Sequence, residues 1–304
     1  MYQSIYVDKL NRQVHIWDDQ EGHITVPLHQ YTYGYIKDPR GLKKAIDGKS
    51  VRKIKLNRKI REEAREGNKR HLYYETDVPI ETRVLIDRYG DSDEPSVNTR
   101  ELNFDIETEI LQGFPDWKNP VNKITAIAWH EKVSNQYSVL ILDEDSKVKT
   151  SIEGNKTVIS CQTEAELLHC FLEQYEEISP HILTGWNIEM FDIPYLVARM
   201  SRVLGDEETM RLSPVGQINY REKIDRWFIE GVSLLDYMIL YKKFTMGERP
   251  SYRLDAIGKH EVDLGKIEYD GNLDDLFNSD INKYIEYNLN DVEIVKRLDE
   301  KLKF

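Results

Sequence analysis

Residues 103–109 read NFDIETE and set two acids, Asp105 and Glu107, two positions apart around an isoleucine. In a strand, residues i and i+2 share a face. The two carboxylates would then project together, while Phe104 and Ile106 turn the other way into a core. Like charges about 4 Å apart repel by roughly 4 kcal/mol at an effective dielectric of 20. Such a pair is ordinarily a solvated strand edge, and the alternative is that the strand holds both acids up to a cation. Two further acids bear on that choice. Asp192 lies in GWNIEMFDIPYL (185–196), whose aromatic and aliphatic neighbours predict a largely buried turn or first helical turn. An unpaired charge is expensive there. Its alternative role is a helix N-cap with Pro194 near the first turn. Asp291 lies in YNLNDVEIVKRL, four residues after Tyr287, so a helix would carry both on one face. A solvated helix face is the alternative, with Leu289, Val292 and Val295 marking the packed side. Converging carboxylates without basic partners suit hard cations, Mg²⁺ or Mn²⁺. A pair of such ions about 4 Å apart clamps the attacking and leaving oxygens of a phosphoryl displacement.

These acids need elements to position them. Residues 101–110, 124–130 and 137–142 have strand patterning, and 181–187 reads as a short buried strand. Residues 163–178 predict a helix capped by Thr163, with Glu166 three residues on. A Pro-marked helix start opens 190–205, and 280–303 forms a final helix. The polar stretch 144–157 is expected to be a loop. Strands followed by helices over this length predict an α/β domain with a mixed sheet. Upstream, residues 1–35 favour short strands with turns at DDQEG and TYG, residues 41–66 look mostly helical, and 71–90 returns to strand-like and mixed patterning. The polar segment GDSDEPSV (90–97) is expected to link a smaller β-rich α+β domain, 1–98, to a second domain, 99–304.

Composition narrows the function. The 304 residues are 40% hydrophobic and 32% charged, which is ordinary for a globular chain. No apolar run is long enough for a membrane helix, and the N-terminus carries no apolar signal core, so a cytoplasmic location without membrane contact is expected. Cys161 and Cys170 have neither zinc-site nor disulfide-framework spacing, which predicts reduced thiols. The net charge of −12 argues against nucleic acid as an average over the surface. Residues 51–71 depart from that average: nine Lys or Arg against three Glu give a local +6. This stretch is either a solvated helix or a contact for nucleic acid.

Taken together, three motifs in order resemble the proofreading 3′→5′ exonuclease region of family B DNA polymerases of the T4-like bacteriophage type. FDIETE (104–109) is similar to the first exonuclease motif, GWNIEMFDIPYL (185–196) to the second and YNLNDVEIV (287–295) to the third. SPVGQI (213–218), GVSLLDYMILYKKF (231–244) and GKIEYDG (265–271) look like phage polymerase segments between them. The resemblance spans about 73–304. It implies a ribonuclease-H-like fold of the DEDD exonuclease class, with Asp105, Glu107, Asp192 and Asp291 as metal ligands of two Mg²⁺ or Mn²⁺ ions. Tyr287 would be the fifth catalytic member. The histidine subclass places His five residues before the last acid, and Glu286 stands there, so the tyrosine subclass is implied. Lys266 matches a lysine near the metal site of the phage enzymes. The implied reaction is hydrolysis of the 3′-terminal phosphodiester of single-stranded or frayed DNA, and the implied location is the host cytoplasm if the chain is phage-encoded. Aromatics beside the motifs, Phe104, Trp186 and Phe191, are either core or a stacking platform for frayed bases.

The palm signatures of such polymerases, a DxxSLYP-like stretch and YxDTD, do not occur. Nucleotide addition is therefore not expected of this chain alone. A C-terminal part or a second chain carrying palm, fingers and thumb would be a partner, as in a shortened or naturally split polymerase. Primer-template DNA is the other implied partner, with RNA at the N-terminal region. The reading from a different class is a nucleic-acid-binding or assembly module without activity of its own. An RNA-directed exonuclease of similar fold is disfavoured by the tyrosine subclass and the phage-like segments.

Overall fold

The computed structural model describes residues 1–66, 68–110 and 113–304. The chain divides into two compact units, Met1–Asn98 and Thr99–Phe304.

In the first unit, β1 (Tyr2–Asp8), β2 (Gln13–Asp18) and β3 (Gly22–Pro27) form an antiparallel meander. Val7, Val14 and Ile16 on one face of it pack with Tyr31 and with Val84 of a helix further along. The turn expected at DDQEG joins β2 to β3. The one expected at TYG does not form: a 3₁₀ turn at Leu28–Tyr31 reverses the chain instead, and Tyr33 and Gly34 open β4 (Tyr33–Lys37). Residues 41–66 also differ from expectation. β5 (Lys43–Lys44) and β6 (Ser50–Lys55) form a hairpin, and only α1 (Arg58–Arg65) is helical. Lysine and arginine do not discriminate helix from strand by burial. Here Gly48 at φ +79° makes the turn, Val51 is buried, and the Lys53 ammonium lies 3.5 Å from the Tyr33 ring centroid. β7 (Tyr73–Tyr74) completes a four-stranded sheet of order β5-β6-β4-β7. The strand-like reading of 71–90 holds only for β7, because residues 80–89 form a helix, α2 (Ile80–Tyr89). Arg83 on α2 is 2% exposed and is held by Glu75 Oε2 at 2.6 Å, with its guanidinium over the Tyr33 ring. Residues 92–99 have no helix or strand.

In the second unit the strands are β8 (Glu101–Thr108), β9 (Ile124–Glu131), β10 (Gln136–Leu142), β11 (Ser151–Glu153), β12 (Lys156–Cys161) and β13 (Ile182–Gly185). A small antiparallel hairpin, β14 (Ile218–Arg221) with β15 (Arg226–Ile229), stands apart from the main sheet, and β16 (Ser233–Asp236) closes the list. The main sheet has seven strands in the order β11-β12-β10-β9-β8-β13-β16. It is mixed: β9 runs antiparallel to β8 and β10, whereas β13 runs parallel to both β8 and β16. The loop expected over 144–157 gives way to β11 and the start of β12. Gly154 at φ +62° turns this short edge hairpin, and its polar, partly exposed side chains carry no alternating signal.

The helices are α3 (Glu164–Ile178), α4 (Asp192–Leu204), α5 (Asp206–Thr209), α6 (Tyr237–Phe244), α7 (Leu254–Val262), α8 (Leu273–Ser279) and α9 (Ile281–Leu302). Thr163 Oγ1 accepts the Glu166 amide at 3.1 Å, and Glu166 Oε2 accepts the Gln162 amide at 2.7 Å, so α3 starts where the capping pattern placed it. Each sheet face has its own core. Leu102, Phe104, Ile106, Trp129 and Leu140 pack against Leu167, Phe171, Leu196 and Met200 of α3 and α4. A buried ion pair ties this side together: Arg199 donates to Glu164 at 2.7 and 2.6 Å, and Glu164 Oε1 also accepts the Ile124 amide. On the other face, Ala126, Ala128, Val139 and Ile141 pack against Tyr284, Leu289 and Val292 between the start and the middle of α9. Among the described residues, no helix is long and apolar enough to cross a membrane.

Candidate active site

The alternation of β8 sorts its side chains. Leu102, Phe104 and Ile106 are 3% exposed or less and face α3 and α4. Asn103, Asp105 and Glu107 therefore face α9. Opposite the two acids, in register on β9, stand alanines: Asp105 pairs with Ala128 and Glu107 with Ala126. These two small side chains leave α9 room to approach the strand. That helix brings Asp291, 1% exposed, up to the pair. One carboxylate oxygen from each of Asp105, Glu107 and Asp291 lies within 4.8 Å of the others. The solvated-face reading of Asp291 is thereby excluded.

Asp192 reaches the same strand from the other side of the motif order. It is the first residue of α4, not its N-cap. Phe191 holds the cap position without a side-chain bond, and Asp192 Oδ1 instead accepts the amide of Ile106 at 3.1 Å. Its carboxylate thus ends between Asp105 and Glu107 along the chain, and its charge acts on both.

The electrostatics follow from burial of like charges. Burial first, and then the charges of Glu107, Asp192 and Asp291, push the Asp105 carboxyl well above the usual carboxylate range. Burial pushes Glu107 up to about 8 against the opposing pull of Lys266, and Asp192 up to about 7 against its bond from Ile106. Asp291 is raised by burial as well, with Lys266 opposing. Lys266 is the cation in the cluster. It lies in the segment after α7, where its amide donates to Asp255 Oδ1 at 2.8 Å. Its ammonium pairs with Asp291 Oδ2 and donates to the Tyr287 hydroxyl at 3.1 Å. Despite burial, the charges of Asp291 and Asp105 hold Lys266 above its ordinary value, so it stays protonated. Burial and the Asp291 charge raise the Tyr287 phenol.

These residues fit a hard divalent ion. The donors are all carboxylate oxygens, one ammonium is too little charge for four acids, and the buried Oδ1 of Asp291 has no protein partner. A cleft of about 840 Å³ opens over the acids, and Asp105, Asp291 and Lys266 line it beside Phe114, Trp186 and Asn187.

Several contributing residues carry little sequence signal. Asp236 caps α6 and at the same time accepts the amides of Asn187 at 3.1 Å and Glu189 at 3.1 Å, fixing the segment that leads into Asp192. Its place before YMILYKKF is the N-cap pattern that could have revealed it. Phe114 is 85% exposed and lines the cleft, outside all three motifs. Of the aromatics singled out in the sequence, Phe104 is core. Trp186 is 9% exposed and donates from Nε1 to the Tyr252 carbonyl while bordering the cleft, and Phe191 packs near Phe114 and Tyr195.

The family described as DNA polymerase family B, exonuclease domain, matches residues 42–257, and the chain belongs to it. That match contains Asp105, Glu107 and Asp192 and ends before Lys266, Tyr287 and Asp291. The chain is 33% identical over 233 residues to the DNA-directed DNA polymerase of Escherichia phage RB69, covering 67% of this chain and 26% of that protein. It is 32% identical over 228 residues to the DNA-directed DNA polymerase of Enterobacteria phage T4, covering 66% and 25%. The DNA polymerase catalytic subunit of Saimiriine herpesvirus 2 is 25% identical over 181 residues. The chain thus spans about a quarter of the length of the phage relatives.

Proposed function

We propose that the unit Thr99–Phe304 is a 3′→5′ exonuclease domain of ribonuclease-H-like fold, in the tyrosine subclass of DEDD enzymes, and that residues 1–98 are a separate β-rich N-terminal domain. The substrate is the 3′ end of single-stranded or frayed DNA. The observation that carries this reading is the meeting of Asp105, Glu107 and Asp291 within 4.8 Å, with Asp192 bonded into the same strand.

Asp105, Glu107, Asp192 and Asp291 would hold two Mg²⁺ or Mn²⁺ ions. Ions bound there supply Lewis acidity, an activated water and neutralisation of charge on the phosphate and the leaving 3′-oxygen. In the reaction a water oxygen bonds to phosphorus, the bond to the 3′-oxygen of the preceding nucleotide breaks, and a nucleoside 5′-monophosphate leaves. Tyr287 is a poor base, since its phenol is raised above an ordinary value near 10. It acts as a hydrogen-bond donor that orients water or phosphate. Lys266 contributes a fixed positive charge beside the scissile phosphate. Phe114, exposed at the cleft, offers a stacking surface for the terminal base. The greater length of the phage relatives supports a partner portion carrying nucleotide addition, in the same polypeptide or a second chain. The basic hairpin and helix of 43–65 are the part of the first unit suited to template or RNA.

Asp105→Ala tests the reading. It is expected to abolish Mg²⁺-dependent release of mononucleotides from a 5′-labelled single-stranded oligonucleotide, and EDTA should abolish the wild-type reaction. Digestion by Asp105→Ala at the wild-type rate would make the domain a binding or assembly module instead. A parallel RNA oligomer distinguishes the two nucleic acids.

A further inference from the structure

Two asparagines bridge β8 and α9 at the same seam. Asn288 Nδ2 donates to Asp105 Oδ2 at 2.8 Å, and Asn103 Nδ2 donates to the Val292 carbonyl at 2.8 Å. Asn103 precedes Asp105 by two residues and shares its strand face. Val292 follows Asn288 by four residues and shares its helix face. The two bonds run in opposite directions across the seam and end differently: Asn288 ends on a carboxylate of the site, whereas Asn103 ends on backbone.

We propose that Asn288 is a positioning residue that fixes the Asp105 carboxylate for divalent-ion binding. This rests on the metal-dependent reading of the cluster. Asp105 sits among three other acids, so a free carboxylate there would turn away from them. A donor on Oδ2 fixes the plane of the group and leaves Oδ1 for a cation. The amide does this without a positive charge, so it does not compete with the ion it prepares for. The contrast with Asp291 is informative: that acid is held by the Lys266 ammonium, a cation on a side chain that is 35% exposed and rises from an irregular segment. Asn288 is 0% exposed, two turns into the long helix α9, and has no free space to swing aside. Asp105 thus has an anchor that is rigid and neutral, whereas the anchor of Asp291 is charged and solvent-accessible. Partners of this kind around metal-binding carboxylates set affinity by fixing the ligand's orientation.

Calorimetric titration of Mn²⁺ into the whole chain, without DNA, tests this. Asn288→Ala is expected to weaken Mn²⁺ binding about 10–100-fold, and Asn103→Ala, which removes a bond of the same kind from the same seam, to leave it within about twofold. Both should lower the melting temperature of the metal-free protein. Should Asn288→Ala not fold, Asn288→Ser, too short to reach Asp105, takes its place. Wild-type affinity in the Asn288 variant, or equal weakening by Asn103→Ala, would reduce Asn288 to a structural strut and overturn the proposal. Failure of the wild-type chain to bind Mn²⁺ would instead overturn the metal-dependent reading itself.

Discussion

Tyr287 and Asp291 are one helical turn apart, and both meet the Lys266 ammonium. The Tyr287 ring packs edge-on against Tyr269 at 5.4 Å and has the Lys266 ammonium 5.0 Å from its centroid, while the hydroxyl supplies its polar contact with that ammonium. Tyr287→Phe therefore keeps the packing and removes the donor. Under the exonuclease reading, kcat on a single-stranded oligonucleotide should fall about 10–100-fold, at or below the low end of what a positioned acid or base contributes, as befits a hydroxyl that only orients water or phosphate. The melting temperature should change by no more than a few degrees. A large loss of stability with full activity would assign the hydroxyl to the fold. At this scale the acids were legible in advance because type and spacing alone place Asp105 and Glu107 on one face. Lys266 was not: a single lysine between a glycine and an isoleucine has no pattern, and only the resemblance singled it out. Asn288 and Asp236 were silent for a related reason. A neutral amide or a helix cap looks the same in sequence whether it serves a site or only a turn.

The elements that present the site meet at close quarters. Gly185 ends β13 where it runs beside β8, and a Cβ placed there would lie 2.5 Å from the Phe104 carbonyl oxygen and 2.5 Å from Ile188. Neither can yield cheaply, because the first is backbone of the strand that carries Asp105. Gly185→Ala is expected to cost about 1–3 kcal/mol in urea unfolding and to lower nuclease activity further by displacing β8. Unchanged stability would mean that the two strands separate more easily than their pairing indicates. Elements with strong periodicity were readable: β8, β9 and β10, the capped α3 and the long α9 all fall within a residue or two of expectation. The failures share a cause. The basic side chains of β5 and β6 are exposed in helix and strand alike and carry no signal between the two, and β11, an edge strand of three residues, needs no apolar alternation. Residues 80–89 show no broad apolar stripe in sequence, since Arg83 occupies a buried position that a hydrophobic residue would normally mark.

For the molecule as a whole, stability should carry the signature of buried histidines, His130 and His181, both lowered by burial, with His181 having the value near 4. His181, 2% exposed at the entry to β13, accepts the Arg100 amide through Nδ1 at 3.1 Å. Burial first, and the neighbouring Arg100 charge second, lower it from 6.5 to about 4. Above pH 6.5 the ring is neutral in both folded and unfolded chains. As pH falls, the unfolded chain takes up the proton first, so stability is lost from about 6.5 down to about 4. The full effect is about 3 kcal/mol at 1.36 kcal/mol per unit. Chemical unfolding at a series of pH values should show a shallower acid loss for His181→Gln than for the wild type, and parallel curves would remove His181 from the account. The net charge of −12 conceals how the charges are deployed: four acids are concentrated in one partly shielded cluster, and the basic residues of 51–65 lie mostly exposed on β6 and α1. An average over the sequence could not have separated these.

The pleat of β8 also limits how this domain can change. Its odd positions carry the acids and its even positions carry the core. Adding or deleting a single residue upstream in the strand would turn Phe104 and Ile106 towards α9 and the site and drive both carboxylates into the apolar packing against α3 and α4. Length variation in that strand is thus confined to even steps, whereas the turns at its ends carry no such parity rule.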